Sequence, residues 1–191
     1  HMVVEDYLIS KVGVELGGKL HTAKSRNDQV AAAIRLRLRE DLLEVESVIA
    51  ELIDALIEIA EKNLKTLMPG YTHLQVAEPT TFAHFLAAYV QAFLRDMRRL
   101  EESYEALNSS PMGACALAGT SFPVNRGEMA NLLGFKRVDA NTMDAVGSRD
   151  TLVESLGALA ISMATLSRLA EEIIIMCSGE TSFLELQDEF S

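Results

Sequence analysis

Between Asp28 and Pro69 the chain carries no glycine and no proline, and its apolar residues fall in steps of three and four. Ile34, Leu38, Leu42, Val45, Ile49, Leu52, Leu56 and Ile59 keep the helical period over this whole stretch. A second stripe, Leu36, Leu43, Ile53 and Ile57, widens the apolar face, so this helix needs neighbours on more than one side. At ~1.5 Å per residue, a helix over 28–65 would be a rod of roughly 55 Å. Two further runs repeat the pattern. Phe82, Leu86, Val90, Phe93, Met97, Leu100, Tyr104 and Leu107 follow Pro79, and Val153, Leu156, Leu159, Met163, Leu166, Ala170 and Ile173 follow Asp150. A short helix is expected at 125–133. No Asn-Gly or Asp-Gly sits between alternating runs, so strand signals are almost absent. The expected fold is all-α. Rods of this length with more than one apolar face point to an oligomeric helical bundle.

Composition narrows the partners. Of 191 residues, 17 are Lys or Arg and 28 are Asp or Glu, a formal charge of −11 with no basic stripe, which argues against nucleic acid and anionic membrane. No apolar run approaches the ~20 residues of a membrane span. His1-Met2 reads as a cloning scar, with residues 3–191 as one helical-bundle fragment. Cys115 and Cys177 match no metal spacing and read as free buried thiols of a reducing cytoplasm.

Three polar or small-residue islands interrupt the rods. In "HTAKSRNDQV", residues 21–30, the bland reading is a helix cap: Asn27 or Asp28 accepts the first free N–H groups and Arg26 points to water. The functional reading is an anion site, in which the helix N-terminus, Arg26 and hydroxyl donors hold a carboxylate. In "MPGYTHLQVAEPTT", residues 68–81, Pro69-Gly70 is expected to force a turn and Pro79 to open the next helix. His73, between Thr72 and Gln75, is either a surface loop histidine or a general acid–base group. "SSPMGACALAGTSF", residues 109–122, permits close backbone approach to a ligand or helix, or is a tight connection packed under neighbouring rods.

The stretches "GGKLHTAKSRNDQV", "MPGYTHLQ", "PMGACALAGTSFPVNR" and "DAVGSRDTLVESL" with "LSRLAEEIII" resemble the argininosuccinate lyase family of the fumarase/aspartase superfamily. Ser-Arg-Asn-Asp after His-Thr is the discriminating motif, whereas a Thr-His pair like Thr72-His73 is shared across the superfamily. Lys24 stands where arginine is commoner, and Cys115 where glycine is usual. The resemblance implies a homotetramer whose subunits donate long helices to a central bundle. It also implies elimination of arginine from argininosuccinate to leave fumarate, with no metal or organic cofactor. Ser25, Arg26, Asn27 and Thr72 match substrate-binding positions, and His73 matches the acid/base histidine, as base or as proton donor. His21 is expected to be structural and His84 a helix-face residue.

The resemblance implies that the family's N-terminal domain is to be expected before residue 5. It also implies that the mobile Gly-Ser-Ser loop, with the catalytic serine and a dianion-stabilising lysine, is to be expected just past Ser191, which matches the serine leading into it. In the family, complete sites draw on three subunits, so this chain alone is expected to be inactive, forming at most half-built sites that bind anions weakly. The alternatives are another fumarate-releasing lyase of the same fold and a non-catalytic relative of the delta-crystallin kind.

Overall fold

The structure is a computed structural model that describes residues 2–190; His1, half of the pair read as a cloning scar, and Ser191 lie outside the described residues. The fold is helical, as the periodicity predicts. Helices α1 (Met2–Val12) and α2 (Val14–Gly17) precede the long α3 (Arg26–Lys62). Strands β1 (Leu67–Thr72) and β2 (Gln75–Thr81) lead into α4 (Phe82–Leu107). The short β3 (Ser109–Ser110), α5 (Arg126–Leu132), β4 (Arg137–Val138) and α6 (Thr142–Gly147) then precede α7 (Asp150–Cys177) and a 3₁₀ turn at Asp188–Phe190. Among the described residues no helix is long and apolar enough to cross a membrane.

Two compact units divide the chain, one of residues 1–40 and 105–151, the other of 41–104 and 152–191. In the first unit, Arg35 of α3 is buried and donates to the Ser109 carbonyl at 2.6 Å and to the Asp139 carboxylate at 2.5 Å. Arg126 of α5 donates through Nε to the Met112 carbonyl and through Nη2 to the Asp139 carbonyl, both at 3.0 Å. The segments around the parallel β3–β4 pair are thus tied by two guanidinium groups that satisfy their backbone carbonyls. α5 matches the helix expected at 125–133, and the Asn125 side chain caps it by accepting from the Glu128 amide.

In the second unit, Leu42, Ile49, Ile53 and Leu56 of α3 and Leu86, Val90, Phe93 and Leu100 of α4 form the core. These are the helical steps read from the sequence. α7 differs from its expected face. Ser155, Ala158, Ser162 and Thr165 are buried, while Val153, Leu156, Met163 and Leu166 of the apolar run are exposed. The small residues allow close helix approach, Ser162 and Thr165 satisfying their hydroxyls on the carbonyls four residues back. Val153, Leu156, Met163 and Leu166 are left to solvent, whereas Leu169 and Met176 further along the helix are buried.

The expected turn at Pro69-Gly70 and the expected opening of α4 by Pro79 are both corrected. Residues 67–81 form an antiparallel hairpin with Leu67 opposite Thr81 and Thr72 opposite Gln75. Pro69 faces Pro79, and the register slips between Pro69 and Tyr71. A two-stranded ribbon has only edge strands, so both prolines fit without costing a ladder bond. A Cβ on Gly70 would stand 2.9 Å from the Glu78 carbonyl oxygen, which explains the glycine at this bulge. α4 begins two residues after Pro79's neighbour Thr80, with the Thr81 hydroxyl accepting from the His84 amide at 3.2 Å.

Candidate functional site

The first island is a reciprocal cap. The Ser25 amide donates to Asp28 Oδ1 at 3.0 Å, and the Asn27 amide donates to Ser25 Oγ at 3.3 Å. The cap is therefore Ser25, not Asn27 or Asp28 as the sequence suggests. Asp28 is fully buried, and its second oxygen accepts from the amides of Gly113 at 3.2 Å and Cys115 at 2.9 Å. Asn27 Nδ2 donates to the Ala116 carbonyl at 2.9 Å. The first and third islands are thus one structure in the first unit, which agrees with the reading of residues 109–122 as a segment of close backbone approach.

Two left-handed residues let the third island bend around the carboxylate, Gly113 at φ +83° and Cys115 at +53°. A Cβ on Gly113 would lie 2.7 Å from Cγ of Arg126. The Cys115 thiol donates to the Ala23 carbonyl at 3.2 Å, and burial, then the Asp28 charge, push its pKa up. Both cysteines are free and half-buried, less enclosed than expected. Around this brace Ser25 is half-buried while Arg26 and Asn27 are exposed. The arrangement offers an anion the first-turn amides of α3, a hydroxyl, an amide side chain and a guanidinium.

Thr72 and His73 lie in the second unit, at the tip of the β1–β2 hairpin. With Thr72 opposite Gln75, the loop is only two residues long, His73 and Leu74, at φ +53° and +59°. Positive φ at both positions is the geometry that fits the twist of a tight hairpin and normally selects Asn-Gly. Here a histidine and a leucine hold it. Such positions cost about 1–3 kcal/mol each and gather at functional sites. His73 and Thr72 are both exposed.

His73 also borders a cavity of about 610 Å³ that the end of α7 and the following turn complete with Glu172, Met176, Thr181 and Phe183. The Phe183 ring meets the Tyr71 ring at 6.2 Å between centroids. The Phe183 and Leu184 amides, donating to the Met176 carbonyl at 2.8 and 3.1 Å, fold this turn back over the helix end. Nothing in the sequence pattern signals that the segment after α7 would reach the Thr72-His73 turn. The other histidines sit elsewhere. His21 Nε2 is 3.4 Å from a Glu5 carboxylate oxygen, and His84 is exposed in the first turn of α4.

A model of the family described as Lyase matches residues 1–191. Curated relatives named argininosuccinate lyase match over the whole chain. The one from Desulforamulus reducens is 49% identical over 191 residues, and the one from Geobacillus thermodenitrificans 50%, with 41% of each relative covered. The relative from Methanothrix thermoacetophila is 47% identical, with 39% of it covered. The chain thus spans about two fifths of the length of the curated relatives it matches. Among solved structures, EDDS lyase in complex with formate superposes with a TM-score of 0.91 at 34% identity, over 96% of this chain and 37% of that one. A variant of EDDS lyase with bound fumarate gives 0.90 at the same identity.

Proposed function

Because the chain belongs to the lyase family, we propose that it is the central helical part of an argininosuccinate lyase, in a protein that eliminates arginine from argininosuccinate and leaves fumarate. Identity near one half over the whole length with relatives of that name carries this reading. The geometry supports it. The substrate brings several carboxylates, and the braced island at the start of α3 offers them Ser25, Arg26 and Asn27. Thr72 is a further binding group. His73 serves as the acid or base: one proton leaves the carbon beside a carboxylate, the carbon–nitrogen bond breaks, and the departing guanidinium nitrogen takes a proton. Negative charge grows on the carboxylate during the first step, which is where oriented donors and a guanidinium lower the barrier most.

The assembly belongs to the same proposal. Val153, Leu156, Met163 and Leu166 of α7 are exposed apolar side chains in helical register, a face that another copy of the chain would cover in a homotetramer. Free cysteines fit a cytoplasmic protein. The closeness to EDDS lyase favours a second reading, a fumarate-releasing lyase with another amine as leaving group. Fumarate release followed by ultraviolet absorbance separates the two, with argininosuccinate, malate, aspartate, adenylosuccinate and EDDS offered in turn to the full-length protein. Turnover of argininosuccinate alone is the expected result. Turnover of another of these compounds instead, or of none, overturns the first reading.

A further inference from the structure

We infer that Asp28 is a positioning residue for the carboxylate-binding island, an inference that rests on the function proposed above. A buried carboxylate needs compensation for lost solvation. Asp28 finds it in three backbone amides, those of Ser25, Gly113 and Cys115, drawn from two segments about 85 residues apart in sequence. Its two oxygens divide the work. Oδ1 closes the cap on Ser25, and Oδ2 holds the bend made by Gly113 and Cys115. Asn27 lies between these anchors and donates its own side-chain amide to the Ala116 carbonyl, one residue beyond Cys115.

The orientation of Ser25 and Asn27 is therefore set by where Asp28 fixes the two strands of backbone, although the buried carboxylate meets no substrate. An amide in its place presents Nδ2 to N–H donors at one of the two anchors, so one must open. Ser25 and Asn27 would then shift together, and binding groups displaced by about 1 Å lose about 10- to 100-fold in efficiency.

The test uses the full-length enzyme as wild type, Asp28→Asn, Asn27→Ala, the double variant and Gly113→Ala, read as kcat and KM separately and as melting temperature. Asp28→Asn is expected to lower kcat/KM by about 10- to 100-fold, mostly through KM, but by only about threefold once Asn27→Ala is present, because the two act through one geometry. Losses that multiply independently, or a lowered melting temperature with kcat/KM intact, overturn the inference. Gly113→Ala keeps every charged group but must shift an amide that Asp28 accepts, and it decides the matter if Asp28→Asn does not fold. It is expected to show the same KM-weighted loss, again muted by Asn27→Ala. Calorimetric affinity for fumarate reads the coupling without turnover. Wild type that binds fumarate but leaves argininosuccinate intact sinks the proposed function while the coupling still decides the role of Asp28. Absence of fumarate binding overturns both.

Discussion

The two polar islands are built on opposite principles. In the first unit, Ser25, Arg26 and Asn27 stand on a helix end whose cap is tied through buried Asp28 to a second stretch of backbone. In the second unit, Thr72 and His73 stand on a hairpin tip where two non-glycine residues hold positive φ, exposed on a ribbon of only two strands. An isolated hairpin of this kind is marginal by itself, so its order depends on what packs against it, here the Tyr71–Phe183 contact and the turn after α7. Groups that must hold a polyanion gain from rigidity, since each donor kept in place avoids an entropic cost on binding. A group that moves a proton needs reach and solvent or substrate access, and backbone strain at its position is tolerable when the neighbours hold it. On the function proposed above, the contrast suits carboxylate binding to the braced island and proton transfer to the strained one, with Thr72 as the binding group that the hairpin adds.

The sharpest way to break that contrast is His73→Asn in the full-length enzyme. Asparagine, like histidine, is among the residues that tolerate the left-handed backbone of position 73, so stability should hold. Loss of the imidazole should lower kcat by about 10²- to 10⁴-fold, read by fumarate release. A variant that melts early as it loses activity would mean that His73 matters for the hairpin rather than for the proton.

Next in size is Arg35→Met, which tests whether the first unit is as rigidly tied as its bonds suggest. The substitution strands the half-buried Asp139 carboxylate and the Ser109 carbonyl, at a cost below that of breaking a fully buried pair from one side, about 3–5 kcal/mol. Urea unfolding should show a lower midpoint. An unchanged midpoint would mean that the pair is not what holds β3 and β4 together.

A smaller effect of opposite sign is expected at the hairpin. Leu74→Gly removes the steric cost of φ +59° at a side chain that is 79% exposed. Relief of about 1 kcal/mol should raise the melting temperature slightly, offset in part by the greater freedom of glycine when unfolded. A drop instead would show that Leu74 holds the tip through its place beside the 610 Å³ cavity.

Which of these features the sequence discloses follows from how each is encoded. The long helices are legible because a period of 3.6 is written into dozens of positions, and α3 begins and ends within three residues of the expected span. Periodicity marks that a face exists but not which face a neighbour covers, and α7 accordingly buries Ser155, Ala158 and Ser162 rather than Val153, Leu156 and Met163. The hairpin is hidden because its turn is His-Leu, not Asn-Gly, and because two prolines and a glycine in the strands mimic loop punctuation. The island at 21–30 announces itself through its density of polar side chains. The capping box that would have named Ser25 and Asp28 is present as Ser-Arg-Asn-Asp, yet with aspartate where glutamate is usual. That the carboxylate is buried against residues 113–115 depends on a contact across about 85 positions, which no local pattern contains. Arg35 is hidden for the same reason, since nothing local in "IRLRLRE" sets it apart from Arg37 and Arg39.

The last expected effect lies in the second unit and tests whether its helices carry an electrostatic penalty of their own. Glu46 of α3 has a carboxylate oxygen that is buried without a hydrogen bond, and burial, then the charge of Glu101 on α4, raise its pKa above the ordinary 4.5. The folded protein therefore holds this proton more tightly than the unfolded chain. Stability from this group is present in acid, falls as pH rises from about 4.5 through the raised value, and is a constant penalty above it. Glu46→Gln should remove the penalty, adding a few tenths of a kcal/mol at neutral pH after allowance for solvent screening. The gain should vanish below about pH 4, where glutamic acid and glutamine are both neutral. Melting curves of the two proteins between pH 4 and 8 should diverge as pH rises. Parallel curves would mean that ionised Glu46 carries no such penalty in the folded protein.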